Sequence, residues 1–232
     1  MVSMGESPSG YIVRAAMSTM PMLRRLWAEH RLASACSHTQ TLVLSYDDGP
    51  TRPTTERVLD LLAAESTPAT FFLLGARAMR EQSLVDRMKA AGHEIGCHSY
   101  CHHNAWRTTA AEGVSDVEAG YAALSRWVAH DGIFRPPYGK VTNATSRAIH
   151  DRGASFGWWT IEAGDTEDVL PEPRDVVEAV SARGGGVVLM HDGHPKDALD
   201  DGRIEFVLET TRRLIEMARG RGLNIKRLSE VG

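Results

Sequence analysis

Cysteine is scarce in this chain, and several features that mark specialised protein classes are missing. Three cysteines among 232 residues are too few for a disulfide scaffold, and an odd number cannot all pair within one chain. No stretch approaches the roughly 18 consecutive apolar residues of a membrane-spanning helix. Lys and Arg number 26 against 30 Asp and Glu, so the basic excess typical of nucleic-acid binding is absent.

The remaining composition is that of an ordinary globular chain. Hydrophobic residues make up 42% and charged residues 24%, and the length favours one domain with one substantial core. The segment Met1–Gly10 is polar and rich in Gly, Ser and Pro, so we expect it to be mobile. The start of the chain shows no apolar run ending at a small-residue cleavage site. The sequence therefore predicts a cytoplasmic protein without a membrane span.

A short amphipathic helix is predicted between positions 20 and 32. Its apolar residues recur at helical spacing among charged ones: Met22, Leu23, Leu26 and Trp27. Such a helix either lies on a membrane surface or packs against the domain. We favour packing, because the stretch is short and its polar face carries both signs of charge. The chain is thus divided into an N-terminal extension, residues 1–40, and a domain, residues 41–232.

After position 40 short apolar runs alternate with amphipathic stretches. The predicted strands are Thr41–Tyr46, Thr70–Leu74, Glu94–Cys97, Gly132–Arg135, Ser155–Ile161, Val187–Met190 and Leu223–Arg227. The predicted helices are Thr54–Glu65, Arg77–Ala91, Ala111–His130, Asn143–Arg152, Pro173–Arg183 and Ile204–Arg221. Continuous rather than alternating hydrophobicity in the strands indicates a parallel sheet covered by helices, an α/β fold. Periodicity alone leaves an open doubly wound sheet and a barrel as alternatives.

Two adjacent carboxylates end the first predicted strand. Asp47 and Asp48 are followed by Gly49 and Pro50, which turn the chain. In either α/β architecture functional groups collect at the carboxyl ends of strands. Adjacent side chains point to different sides of the backbone, so the two carboxylates are free to take different roles. The alternative is an ordinary turn with two solvated acids.

Two histidines four residues apart follow the third predicted strand. On a helical turn His98 and His102 share one face, so both rings can reach one ion. Two imidazoles and a carboxylate form a familiar donor set for a catalytic divalent cation. Cys97 and Cys101 have the same spacing, and we interpret them as packing residues because a thiolate metal site more often shows Cys-x-x-Cys.

Further polar residues follow the later strands. Arg135 precedes two prolines that stiffen the turn, and it is placed to form a bidentate pair with a carboxylate from a neighbouring strand end. Asp165 follows the fifth apolar run, and His191 ends the sixth. A surface arginine and a structural histidine are the simpler interpretations. Because five clusters share one edge of the predicted sheet, a common site is favoured.

A serine-hydrolase pattern competes with this site. The segment Gly153–Gly157 matches Gly-x-Ser-x-Gly, and Asp165 and His191 follow in the order that a catalytic triad requires. The nucleophile elbow, however, needs a strand before the serine and a helix after it. Here a helix precedes Ser155 and a strand follows, so we reject this interpretation.

Taken in order, these clusters resemble the polysaccharide deacetylase family, also called carbohydrate esterase family 4 or the NodB-homology domain. The resemblance spans about Thr41 to Leu228. It is carried by Ser45–Pro50, Pro68–Phe72, Gly92–Gly96, His98–His102, Arg135–Tyr138 and Leu189–His191. It implies a distorted (β/α)7–8 barrel of parallel strands, preceded here by the short helical extension. It also implies hydrolysis of N-acetyl, sometimes O-acetyl, groups on sugars.

The resemblance also implies a metal site and a catalytic pair. Asp48, His98 and His102 would hold a divalent metal ion, with zinc as the first expectation and cobalt, nickel or manganese as alternatives. Asp47 would be the general base and His191 the general acid.

Four more residues take supporting roles through the same resemblance. Arg135 would orient Asp47, and Asp165 would partner His191. Leu189 would line the pocket of the acetyl methyl group, and the backbone N–H of Tyr138 would help to hold the oxyanion. The chain departs from the family pattern in two places: Thr166 stands where an aromatic residue is usual, and Tyr46 replaces a phenylalanine.

The predicted function is thus metal-dependent deacetylation of amino sugars, either chitooligosaccharides or a small molecule that contains N-acetylglucosamine. One alternative substrate is a cell-wall polysaccharide: peptidoglycan, chitin or O-acetylated xylan. The sequence also leaves open a cyclic-amide hydrolase on the same fold and a carbohydrate-binding relative without activity. The expected partner is the acetylated sugar alone, with no nucleic acid; the sequence predicts nothing about the oligomeric state.

Overall fold

A computed structural model of the chain describes residues 21–193 and 200–231, so the predicted mobile segment Met1–Gly10 lies outside the described residues. The helices are α1 (Pro21–His38), α2 (Thr54–Ala64), α3 (Gly75–Ala78), α4 (Gln82–Ala90), α5 (Ala110–Leu124), α6 (Asn143–Asp151), α7 (Pro173–Arg183) and α8 (Asp201–Arg221). The strands are β1 (Thr41–Asp47), β2 (Thr70–Leu73), β3 (Glu94–Cys97), β4 (Ile161–Glu162), β5 (Gly186–His191) and β6 (Asn224–Ile225). Two 3₁₀ turns cover Pro137–Gly139 and Leu228–Glu230.

All strand pairs run parallel, in the order β3-β2-β1-β5-β4, with β6 beside the start of β1. Every residue of β1 is buried, as expected for a central strand covered on both faces. In the register, Asp47 lies opposite His191 on β5 and opposite Phe72 on β2. The carboxyl ends of β1 and β5 therefore bring two predicted catalytic residues side by side.

The sheet closes through two irregular segments. Phe134 bridges Cys97 at the end of β3 on one side and Phe156 on the other. The chain then continues from Phe156 into β4, which pairs with β5. Because the sheet closes in this way, the fold is the distorted barrel and not the open doubly wound sheet. The predicted strands 132–135 and 155–161 shrink to single bridges plus the two-residue β4, because Pro136 and Pro137 lack the N–H groups that would extend the ladder.

Two predicted helices differ from the observed ones. The predicted helix 77–91 is two helices, α3 and α4, which are separated at Glu81 by a non-helical backbone with φ −116° and ψ 43°. The predicted helix 111–130 ends at Leu124, because Trp127 and Val128 turn into the core.

Helix α1 packs on the domain, but with a face that the sequence did not indicate. Cys36 is fully buried, and Ala28 and Leu32 pack against an aromatic cluster of the barrel that includes Trp158 and Trp159. Three of the four residues that suggested the amphipathic face are 44–53% exposed: Leu23, Leu26 and Trp27. The side chain of the fourth, Met22, lies outside the described part of the structure. Among the described residues, no helix combines the length and apolarity needed to cross a bilayer.

Candidate active site

The backbone conformation at the end of β1 points the side chains of Asp47 and Asp48 in different directions. Asp47 is the last residue of the strand, and Asp48 adopts a left-handed conformation with φ 72°. This conformation is uncommon outside glycine and turns the chain sharply. The Arg77 guanidinium donates to the Asp48 carbonyl oxygen at 2.7 Å, a contact for which the sequence offers no signal. The two buried carboxylates consequently have different neighbours.

Asp48, His98 and His102 converge as predicted. The Asp48 Oδ1 atom lies 3.3 Å from His98 Nε2 and 3.0 Å from His102 Nε2. It is buried, yet no donor of the described residues forms a hydrogen bond with it. His98 Nδ1 lies 2.7 Å from the carbonyl oxygen of Arg135. Since a carbonyl only accepts, this nitrogen carries the proton, and Nε2 presents its lone pair to the shared space.

The histidines do not lie on a helical turn, which corrects the sequence-based prediction. Ser99 and His102 have φ values of 67° and 63°, so the segment after β3 is a folded-back loop. The His102 N–H donates to the Ser99 hydroxyl at 3.2 Å and stabilises that fold. The loop also separates the cysteines: Cys97 is buried as expected, whereas Cys101 is exposed and is not a packing residue.

The electrostatics of this triad suit a cation. Burial alone would raise the pKa of Asp48, but His102 and His98 outweigh burial and hold that pKa well below its usual range. Burial lowers the pKa of His98, while the charges of Asp47 and Asp48 raise it to above its ordinary value. Two buried carboxylates thus draw positive charge into the pocket. An unbonded carboxylate oxygen between two imidazoles, one of them oriented by the Arg135 carbonyl, fits a divalent metal ion.

On one side of the triad, Arg135 holds Asp47. Arg135 is fully buried, and its Nη1 donates to Asp47 Oδ1 at 2.7 Å. The predicted bidentate pair is reduced to this one bond, because Nη1 also binds Ser45 Oγ while Nε and Nη2 donate to the carbonyls of Gly157 and Trp158. Burial lowers the pKa of Arg135, and Asp47 opposes that shift. Ser45 was missed as a site residue; its hydroxyl donates to the Val188 carbonyl and so accepts from the arginine.

On the other side, Asp165 holds His191. Asp165 Oδ1 lies 3.1 Å from His191 Nδ1, and its Oδ2 accepts the backbone N–H of His191 at 2.6 Å. Burial lowers the pKa of His191, but the charge and hydrogen bond of Asp165 outweigh it and raise that pKa to about 10. Asp165 therefore favours the imidazolium form of His191, in which Nε2 carries a proton.

These groups line one cavity of about 260 Å³. Eight of the nine predicted site residues line it: Asp47, Asp48, His98, His102, Tyr138, Asp165, Leu189 and His191. Arg135 lies behind Asp47, outside the cavity wall. Tyr138 has a left-handed φ of 56° and its ring centroid is 4.5 Å from that of His102.

The two departures from the family pattern have separate consequences. Thr166 lines the cavity and is exposed, so a small polar side chain stands on the rim. Tyr46 points away from the site into the core. Its hydroxyl lies 2.8 Å from Thr211 Oγ1, and its ring stacks on Phe71 at 5.0 Å. Only the first departure alters the surface that a substrate meets.

Sequence reasoning missed other residues of the site. Trp159 and Glu162 line the cavity, and the indole N–H of Trp159 donates to Glu162 at 2.9 Å. Asp192 is buried behind the Gly49 turn, where Thr55 donates to its Oδ2 at 2.6 Å. Burial raises the pKa of Asp192 to about 7. The only available signal was that Asp192 directly follows His191.

The serine-hydrolase pattern does not form a site. Ser155 is exposed and lines a different cavity beside α1, which includes neither Asp165 nor His191. The aspartate and histidine of that pattern instead bond to each other in the cavity described above. This agrees with the rejection made from the sequence.

A triad of one carboxylate and two imidazoles lies between an Arg-held carboxylate and an Asp-held imidazole at the carboxyl ends of parallel strands, and this arrangement fits a metal-dependent hydrolase. The profile of the polysaccharide deacetylase family matches residues 34–157. The chain belongs to the polysaccharide deacetylase family.

Individual relatives extend this similarity along most of the chain. A chitooligosaccharide deacetylase of Sinorhizobium fredii is 32% identical, over 82% of this chain and 91% of its own length. A peptidoglycan-N-acetylglucosamine deacetylase of Bacillus cereus is 31% identical, over 68% of this chain and 75% of its own. A family 4 carbohydrate esterase of Streptomyces lividans, solved in complex with acetate, superposes with a TM-score of 0.66. It is 28% identical and covers 80% of this chain and 91% of its own.

Proposed function

We propose that this protein hydrolyses the N-acetyl group of an amino sugar to acetate and a free amine. The observation that carries the proposal is the cavity in which the Asp48 triad lies between Asp47 and His191. Amide hydrolysis needs a group that removes a proton from water and a group that protonates the departing nitrogen. Asp47 and His191 flank the triad, and each is held by a buried partner, Arg135 and Asp165 respectively.

Asp48, His98 and His102 would hold a divalent cation, zinc being the proposed identity. When bound, such an ion acts as a Lewis acid toward the acetyl carbonyl and water. The preference for zinc follows from the donor set of two imidazoles and one carboxylate, which leaves further coordination positions open. Metal replacement distinguishes zinc from cobalt, nickel and manganese.

Asp47 takes the proton from the attacking water. Its Oδ1 atom is engaged by Arg135, whereas Oδ2 lies 3.7 Å from His98 Nε2 and faces the shared space. Arg135 is itself fixed, because its other N–H groups bind Ser45 and the carbonyls of Gly157 and Trp158, so the position of Asp47 Oδ1 is fixed as well. The base is thereby oriented before substrate arrives, which lowers the entropic cost of the step.

His191 then protonates the amine as the C–N bond breaks. An amide nitrogen leaves poorly as an anion, so a positioned acid is needed. Asp165 binds both Nδ1 and the backbone N–H of His191, which fixes the ring orientation and keeps it protonated. After the step, the proton lost by water is on Asp47 and the proton lost by His191 is on the amine, and the hydroxyl group from water is on the acetyl carbon.

Two further residues complete the proposed site. The backbone N–H of Tyr138 would donate to the oxyanion that develops on the carbonyl, since preorganised donors are effective at such positions. Leu189 is nearly buried in the cavity wall and provides an apolar contact for the acetyl methyl group.

Short oligomers of N-acetylglucosamine are the proposed substrate. The relative from Sinorhizobium fredii named as a chitooligosaccharide deacetylase matches over 91% of its own length. Peptidoglycan is the second candidate, supported by the Bacillus cereus relative at 31% identity. The cytoplasmic location expected from the sequence stays a prediction, which cell fractionation tests.

Acetate release from defined substrates tests the function. We expect the purified protein to release acetate from N-acetylglucosamine oligomers, faster than from insoluble chitin or peptidoglycan. The reverse preference would favour the cell-wall substrate. Absence of acetate from all of these substrates, with the metal bound, would contradict the proposal.

A further inference from the structure

We infer that Arg25, on helix α1, is a positioning residue for the turn that carries Tyr138. The inference rests on the proposed function, in which the Tyr138 N–H faces the reacting carbonyl. It assigns a part in catalysis to the N-terminal extension, which the sequence pattern set apart from the catalytic domain. Arg25 also lies before residue 34, where the match to the family profile begins.

The turn has an unusual backbone. Tyr138 and Gly139 both adopt left-handed conformations, with φ values of 56° and 62°. A non-glycine residue is disfavoured there and persists only where its surroundings hold it. Tyr138 is 51% exposed and its ring packs on the His102 ring at 4.5 Å, so its own packing supplies only part of that hold. Hydrogen bonds inside the turn run from Gly139 to Pro136 and from Lys140 to Pro137.

Arg25 supplies a contact from outside the turn. Its Nη1 donates to the Gly139 carbonyl oxygen at 2.9 Å. The guanidinium also lies 4.7 Å above the Trp159 ring and 5.1 Å above the Trp158 ring. Its Nε bonds to Glu29, one turn along the same helix, at 2.7 Å. The arginine is therefore fixed on three sides, and its hydrogen bond is directed at the residue next to Tyr138.

The fit at Gly139 is a separate observation. A Cβ atom added there would collide with the Arg25 guanidinium and would lie 2.9 Å from the Trp159 ring. Close approach of the arginine thus requires glycine at this position, in addition to its φ value. Trp159 itself lines the active-site cavity. Arg25, Gly139 and Trp159 together form a packed wall that continues into the site.

Helix α1 offers a matched control. Arg31 lies on the same helix, and its guanidinium is 4.6 Å from the ring of the half-exposed Trp27. Arg31 is exposed and belongs to no wall of the active-site cavity. Replacement of Arg31 therefore removes an arginine–tryptophan contact from α1 without touching the turn.

The test compares Arg25→Ala, Arg25→Lys and Arg31→Ala on an N-acetylglucosamine oligomer, with metal content and melting temperature measured for each. We expect Arg25→Ala to lower kcat by about 10-fold to 100-fold, the size of a misplacement effect. KM and metal content stay near the wild-type values. Arg25→Lys should have a kcat between those of Arg25→Ala and the wild type. Added guanidinium ion should raise the kcat of Arg25→Ala and of no other variant. Arg31→Ala keeps the wild-type kcat.

Equal kcat values for folded Arg25→Ala and Arg31→Ala would overturn the inference. The inference would also be overturned if guanidinium ion did not restore kcat in Arg25→Ala and if the fall in kcat paralleled the fall in melting temperature in both Arg25→Ala and Arg31→Ala. If Arg25→Ala fails to fold, Glu29→Gln serves instead, because it loosens Arg25 and keeps its packing. A smaller fall in kcat at constant KM supports the inference, and an unchanged kcat contradicts it. An inactive wild-type protein would instead contradict the proposed function.

Discussion

Asp47 and His191 lie opposite each other across β1 and β5, yet the protein holds the two side chains in different ways. Asp47 depends on a fully buried arginine whose other donors also bind the barrel. His191 is partly accessible and depends on one aspartate that binds both its ring and its backbone. The proposed base, Asp47, is thus held by the barrel core, whereas the proposed acid, His191, is held by a local charge pair.

The largest effect is expected at the base. Asp47→Asn removes the proton acceptor but keeps the size of the side chain, so turnover should fall by about 10²-fold to 10⁴-fold. The proposed metal ligands do not include Asp47, so bound metal should stay at the wild-type level. Steady-state kinetics and elemental analysis check both statements. Asp175→Asn, on an exposed part of α7, is the control. A kcat within about threefold of wild type would remove Asp47 from its role.

The next largest effect concerns the contribution of Arg135, the buried partner of Asp47, to stability. Arg135→Met leaves the Asp47 carboxylate buried without its partner, so the free energy of unfolding should fall by about 3–5 kcal/mol. Denaturant titration measures this change. Arg212→Met is the control, because Arg212 pairs with Glu209 at the surface and such pairs contribute about 1 kcal/mol or less. Equal losses in the two variants would show that Arg135 is not a core element.

A third prediction concerns the acid side and its pH dependence. Asp165 raises the pKa of His191 to about 10, and a cation at the triad opposes that shift. Activity that needs the protonated imidazole is present at low pH and is lost as pH rises through the His191 pKa. Asp165→Asn lowers this pKa, so the alkaline limb of the kcat profile should move to lower pH.

The contribution of His191 to stability depends on pH in the same direction as the activity. Because the folded-state pKa of His191 is raised above about 6.5, its contribution to stability is fully present below that pH. It is lost as pH rises through about 10. Asp168→Asn, on an exposed residue of the same loop, is the control for both measurements. An unchanged alkaline limb in Asp165→Asn would contradict the role of the charge pair.

The smallest expected effect separates this site from the serine pattern. Ser155→Ala should leave kcat within about twofold of wild type, since Ser155 lies in a different cavity from His191. Steady-state kinetics and reaction with a fluorophosphonate check this. Labelling at Ser155 together with a large loss of turnover would support the serine hydrolase instead.

The sequence predicted the site residues better than the conformations that hold them. Asp47, Asp48, His98, Arg135, Asp165 and His191 all follow apolar runs, and parallel strands bring such positions to one edge. That logic needs only the order of strands and helices. Five of these six residues, all except Arg135, line one cavity.

The remaining features depend on contacts between distant parts of the chain. The loop that carries His102 is set by left-handed residues and not by helical spacing. The docking face of α1 is decided by the Trp158 and Trp159 cluster, which no pattern inside the helix reveals. Arg77 acts on Asp48 from 29 positions away. Local periodicity carries no information on such contacts.

The most direct test of a metal-dependent mechanism is the metal content of the purified protein. We expect about one divalent ion per chain in the wild type, and loss of that ion in Asp48→Ala and in His102→Ala. Acetate release should disappear with a chelator and return when the ion is restored. A wild type that binds no divalent ion and still releases acetate in the presence of the chelator would contradict the central claim.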